Sequence, residues 1–341
     1  MIVGAGLDPG LRLSSGELRQ AAREAARLGF QSLWTPAGGI PDAFHVCAGW
    51  SGATAEVVPG GITTATGVVP VRMWTVPALA NQAATVAQIS GGRFVLGVGS
   101  GGPGGRPIAL MRDYVTTLRR ILAGETVSYD SPAVTLDRFR LSAEAPKVPV
   151  YLAALGPQML RVGAECADGV LPSFATPEYT RWARDVLIDG ATRVGRDPSE
   201  VKMAMYVRVC VDPDEQAARL ALGTQVLGYA LRRPGASPAA AYRGHFARLG
   251  FEATLLELEA RRDAGASVAE LVDAAPDELL RAVGYYGPPE GAAAEYRRLS
   301  AGLDETIVRV IAARPGLEPV LATLRALSPG QLRLDAPART A

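Results

Sequence analysis

Apolar residues in this chain fall into two alternating patterns. Short, nearly continuous apolar runs rich in Val, Ile and Leu occupy residues 2–7, 32–35, 62–69, 93–98, 149–154, 169–173, 202–211 and 306–312. Runs of this length without a polar face predict parallel strands buried on both sides. Between them, apolar positions recur with helical spacing and predict helices over 14–30, 76–89, 107–123, 157–166, 177–194, 214–231 and 290–301. The first of these, "SSGELRQAAREAARLGF", offers Ser14 or Ser15 as a cap and Gly29 as a stop. Strand–helix alternation throughout requires crossover helices between parallel strands. Eight such units in 341 residues predict an α/β fold, the (β/α)8 TIM barrel.

Two stretches break the rhythm. Residues 125–148, "ETVSYDSPAVTLDRFRLSAEAPKV", read as extended or hairpin-like structure before the fifth strand. Residues 213–284 read as mostly helical, contain Pro234, Pro238 and Pro276, and separate strands seven and eight. A barrel still needs its last strand after them, so they are expected to form a helical insertion over the barrel mouth, with a separate small domain as the alternative. The expected organisation is one barrel domain over 1–327 and a loose tail over 328–341.

Composition narrows the function. A net charge of +1 with no basic block argues against nucleic acid and anionic membranes as partners. Cys47, Cys166 and Cys210 are far apart and form no C-x-x-C pattern, which fits a reduced, cytoplasmic protein. The start, "MIVGAGLDPG", has no signal-peptide pattern, and no apolar run is long enough to span a bilayer. With only His45 and His245 available, no histidine-rich metal site is expected.

"RFVLGVGSGGPGG" (93–105) places Gly97, Gly99 and Gly102 in the G-x-G-x-x-G spacing of a dinucleotide-binding turn. Such a turn belongs in the first βαβ unit and opens straight into a helix. Here it follows the fourth strand, and Pro103, Gly104, Gly105 and Pro107 delay the next helix. The glycines are better explained as backbone that lets a flat ring approach the C-terminal face of a barrel. At the fifth strand, "LGPQ" turns into a helix with Pro157 in its first turn, and exposed N–H groups at such a start attract phosphate.

The motifs "GFQSLW" (29–34), "ALANQAATVAQISGGRFVLGVGSG" (78–101) and "PVYLAALGPQMLRVGAECADGVLP" (149–172) resemble the luciferase-like monooxygenase superfamily. The A-x-G-P form at 154–157 is similar to the branch that uses the deazaflavin coenzyme F420, whereas members using FMN tend to carry serine-rich versions. The resemblance runs through most of 1–212 and again through 285–315. It implies a cofactor ring at the barrel mouth against Gly67, Val68, Gly97, Gly99 and Ser100, with a non-prolyl cis peptide at Gly67–Val68 in "TATGVVPV". It implies a phosphate held by Ala154, Leu155, Gly156 and Pro157. Two departures stand out. Ala37 and Gly38 occupy the places of an Asp-His pair found in several relatives, and Gly102 stands where a glutamate often serves as acid or base.

The remaining candidates are Trp34, for stacking on ring or substrate or for simple packing, and His45, as a loop proton donor or a surface residue. Arg314 is a candidate for binding an anionic substrate group or for a surface salt bridge, and His245 is expected to have no catalytic role. The expectation is an F420-dependent oxidoreductase acting on a small molecule, as a homodimer, in the direction of C=C or C=N reduction. The alternatives are an FMN-dependent monooxygenase using O2 and a non-catalytic cofactor-binding protein.

Overall fold

The computed structural model describes residues 1–102, 106–232 and 241–332. Its strands are β1 (Ile2–Gly6), β2 (Ser32–Thr35), β3 (Thr63–Pro70), β4 (Phe94–Gly99), β5 (Val127–Asp130), β6 (Thr135–Phe139), β7 (Val150–Ala153), β8 (Gly169–Leu171), β9 (Lys202–Val211), β10 (Gly284–Gly287) and β11 (Glu305–Val310). Eight of them close a parallel barrel in the order β1-β2-β3-β4-β7-β8-β9-β11, with β11 pairing back to β1. This is the (β/α)8 barrel expected from the eight apolar runs. The open sheet that a dinucleotide fold requires is not formed by these strands. β5 and β6 make the antiparallel hairpin anticipated within 125–148.

Alternation along each strand decides what fills the barrel. β9 and β11 run in register, with Glu305 opposite Ala204, Ile307 opposite Tyr206 and Arg309 opposite Arg208. Trp34, Ala65, Tyr151, Leu171, Ala204, Tyr206 and Ile307 pack together as the lumen core. At one end of the lumen, Glu305 accepts hydrogen bonds from Ser32 Oγ and, at 2.8 Å, from Trp34 Nε1. Burial raises the Glu305 carboxyl above its usual range.

Three parts of the chain depart from the sequence reading. Residues 43–55 form a helix, where a loop was expected. Asp42 caps it by accepting from the N–H groups of Phe44 and His45, both at 3.1 Å. Its largely apolar sequence, interrupted by Gly49 and Gly52, shows no polar stripe to reveal the period. The insertion carries helices Glu215–Ala230, Ala241–Phe246, Glu252–Asp263, Val268–Ala274 and Asp277–Val283, the last capped by Pro276, and then closes with a strand, β10. β10 pairs with β9 from Arg208 to Val211, on the edge that β8 pairs only at Lys202 and Met203. The insertion leaves and rejoins the barrel at one point, because Asp212 N–H donates to the Gly287 carbonyl at 3.0 Å. In the expected tail, Pro329–Leu332 form a helical turn with Leu332 buried, so the chain is packed to that point. Pro103, Gly104, Gly105, Pro234, Pro238 and the remainder of the tail lie outside the described residues.

Candidate active site at the barrel mouth

A cavity of about 370 Å³ opens at the C-terminal ends of the strands. Asp8, Pro36, Ala37, Gly67, Val68, Ala153, Ser173, Tyr206, Arg208 and Arg309 line it from the barrel, and Tyr229 and Tyr242 reach it from the insertion. Residues of the insertion thus line part of the cavity.

Two arginines dominate the site. Arg208 and Arg309 sit side by side in register on β9 and β11, at 1% and 7% exposure. Arg309 donates to Asp8 Oδ2, and its guanidinium carbon lies 5.1 Å from the centre of the Tyr206 ring. Asp8 Oδ1 accepts from Gly10 N–H at 2.6 Å, so both carboxylate oxygens are engaged. Arg208 has no carboxylate within ion-pairing distance among the described residues. Its Nη1 donates to Ser173 Oγ at 3.2 Å, and its guanidinium stacks 3.5 Å from the centre of the Phe174 ring. Burial, reinforced by the neighbouring charge of Arg309, pulls the Arg208 pKa down to about 9. Arg208 Nε, Arg309 Nε and Tyr206 Oη are buried without a hydrogen-bond partner among the described residues.

Phe174 holds its place through an uncommon backbone geometry. Its φ is +53°, and its carbonyl accepts from His245 Nε2 at 2.9 Å. His245 is wholly buried and meets Tyr179 edge-on at 4.9 Å between ring centres. Tyr179 Oη in turn donates to the Leu155 carbonyl at 2.6 Å. Burial brings the His245 pKa down from 6.5 to about 4, so the ring is neutral.

Of the cofactor-site residues expected from the sequence, two line this cavity. Gly67 and Val68 line it, and the bond between them is cis. Gly99 lies between Val68 and Ala153, where an added Cβ would come within 2.9 Å of Val68 Cγ2. Gly97 is buried in the wall, and a Cβ there would stand 2.1 Å from the Thr66 carbonyl oxygen. Ser100 is half-buried just beyond β4. Ala154 is buried, and Leu155 leads into Gly156, the N-cap of helix Pro157–Cys166. No side chain caps that helix, and a Cβ on Gly156 would meet open space.

Three candidates sit away from the cavity. Trp34 is fully buried in the lumen below it, because its indole N–H is directed to Glu305. His45 lies in the first turn of helix Ala43–Ala55 with its side chain 85% exposed and its Nδ1 2.8 Å from Asp42 Oδ1. Arg314 borders a separate cavity of about 410 Å³ and donates to Asp212 at 2.8 Å. The sequence reading missed Asp8, Tyr206, Arg208 and Arg309. The signal was present: "MYVRVCV" and "TIVRVIA" each place an arginine inside an apolar strand run, an arrangement costly enough to need a purpose.

A closed parallel barrel with a polar cavity at its C-terminal mouth is the arrangement of a TIM-barrel enzyme. The chain belongs to the luciferase-like monooxygenase family, whose profile matches residues 4–305. It is 27% identical over 311 residues to 5,10-methylenetetrahydromethanopterin reductase from Methanolobus tindarius, covering 86% of this chain and 89% of the relative. It is 27% identical over 218 residues to F420-dependent glucose-6-phosphate dehydrogenase from Microbacterium testaceum, covering 57% of this chain and 64% of the relative. Its fold matches the solved structure of coenzyme F420-dependent tetrahydromethanopterin reductase from Methanopyrus kandleri with a TM-score of 0.77 and 19% identity, over 96% of this chain and 99% of that one. No helix among the described residues is long and apolar enough to cross a membrane.

Proposed function

We propose that this protein is a coenzyme F420-dependent oxidoreductase that reduces a C=C or C=N bond of a small organic substrate. The names of F420-dependent relatives support the cofactor, and the inventory of the cavity supports the direction. Alcohol oxidation needs a base poised to take a proton as hydride leaves. Among the described residues lining the cavity there is no histidine, and Asp8 is the one carboxylate. Both of its oxygens are already held, by Gly10 and Arg309, which disfavours that role. Reduction needs only a proton from solvent.

The residues present suit a flat, phosphate-bearing cofactor. Ala37, Gly38 and Gly67 give one side of the cavity little side-chain relief. The uncapped helix start at Gly156 leaves first-turn N–H groups to bind phosphate. In this reading Leu155, Gly156 and Pro157 hold the phosphate, and Gly67, Val68 and Gly99 hold the ring. Gly97 acts indirectly, by letting β4 close on Thr66. When bound in reduced form, the deazaflavin supplies hydride. The protein contributes position and exclusion of bulk water.

The test is anaerobic. Reduced F420 is mixed with the protein and a panel of unsaturated compounds and imines, and cofactor oxidation is followed by absorbance. At least one such compound should be turned over, while alcohols and sugar phosphates leave oxidised F420 unchanged. Efficient oxidation of an alcohol or sugar phosphate overturns the direction. FMN that copurifies or binds more tightly than F420, or substrate-dependent O2 uptake in a parallel aerobic assay, overturns the cofactor.

A further inference from the structure

The cavity holds more positive charge than it neutralises. Among the described residues two guanidinium groups face a single carboxylate, and that carboxylate is paired with Arg309. Arg208 is left with a hydroxyl and an aromatic face as neighbours, although it is 99% buried by its 1% exposure. A buried cation without a counter-ion is unfavourable, and an adjacent like charge makes it more so. Phe174 at 3.5 Å offsets part of this cost, since a cation–π contact is weaker than an ion pair in a dry site.

We propose that Arg208, oriented by Ser173 and supported by the field of Arg309, is the subsite for an anionic group of the substrate, a carboxylate or a phosphate. This rests on the hydride-transfer reading above and specifies its substrate class. A guanidinium presents paired N–H groups that match the oxygens of either anion. Ser173 fixes one Nη, and the Phe174 ring fixes the guanidinium plane. The arriving anion would supply the missing counter-charge, and a neutral analogue of the same shape would leave it missing.

The experiment uses the full chain, with and without deazaflavin, and measures binding of acetate, inorganic phosphate and neutral acetamide by calorimetry at constant ionic strength. Acetate or phosphate should bind both forms, and acetamide neither. Arg208→Gln should weaken the anion tenfold or more while deazaflavin affinity stays as in the wild type. Equal anion affinity in a folded Arg208→Gln protein overturns the proposal and leaves the arginine a structural stack. Displacement of the anion by deazaflavin also overturns it, because the charge would then serve the cofactor. If Arg208→Gln does not fold, Arg208→Lys replaces it. Loss of the fork should weaken acetate several-fold, and unchanged affinity overturns the proposal. Failure of deazaflavin to bind at all would reject the cofactor reading alone, since the cofactor-free arm still reads the anion site.

Discussion

Glycines at 97 and 156 separate two uses of a missing side chain. At Gly156 φ is −101° and an added Cβ meets nothing within 4 Å, so the fold accepts a larger residue. Gly156→Asp adds a like charge and, at this N-cap, a carboxylate able to accept the same first-turn N–H groups. Deazaflavin affinity, read by fluorescence titration, should fall tenfold or more, about 1.4 kcal/mol, with the melting temperature no lower. Unaltered affinity would move the phosphate elsewhere. At Gly97 the added Cβ would lie 2.1 Å from the backbone oxygen of Thr66, which cannot swing away. Gly97→Ala should lower stability in urea by roughly 1–3 kcal/mol, the usual cost of overpacking. His45 gives a third case. Exposed and bound to Asp42, it does not line the cavity, and His45→Ala should leave turnover as it was. A loss near the ~10²-fold typical of a general acid would restore it to the mechanism.

Besides the pairing of β10 with β9, the short helix Ala241–Phe246 ties the insertion to the barrel through His245. Its Nε2–H fixes the carbonyl of Phe174, and the Phe174 ring underlies Arg208. The imidazole is neutral in the fold, with a pKa of about 4 against 6.5 when unburied. Because the folded value is the lower one, the stability it contributes is whole above about pH 6.5. Unfolded chains take up the proton first as pH falls, so the contribution drains away towards pH 4, on the order of 3 kcal/mol in all. Urea midpoints at pH 7 and pH 5 should differ in the wild type, and the gap should shrink in His245→Gln. An equal gap in both proteins would assign the pH dependence to other groups. The sequence alone gave His245 no role, since burial and a backbone partner 71 positions away are invisible to local pattern. Arg208 and Arg309 were different. Their parity within apolar runs was readable, but which face met the cavity depended on the register between β9 and β11.

For the molecule as a whole, the barrel was legible because each of its strands is buried on both faces and stands out as an apolar run between helical patterns. β10, only Gly284–Gly287, is too short to stand out from the helices that flank it. Helix Ala43–Ala55 was hidden for the opposite reason: it is apolar nearly all round, so no polar stripe marked its period. The proposed cofactor side rests on motif resemblance at 149–172, whereas Arg208, Arg309 and the insertion's tyrosines line the cavity where no motif helped. The hydrogen bond from Asp212 to Gly287 carries this division further. An excursion whose two ends are pinned together behaves as a cassette: the length between the pins changes loop-closure entropy only logarithmically, about 0.6 kcal/mol for each doubling. The pairing of β11 with β1 lies outside these pins. On the proposed function, substrate choice then has its own dial, set by the insertion's tyrosines at the cavity and separate from the barrel strands.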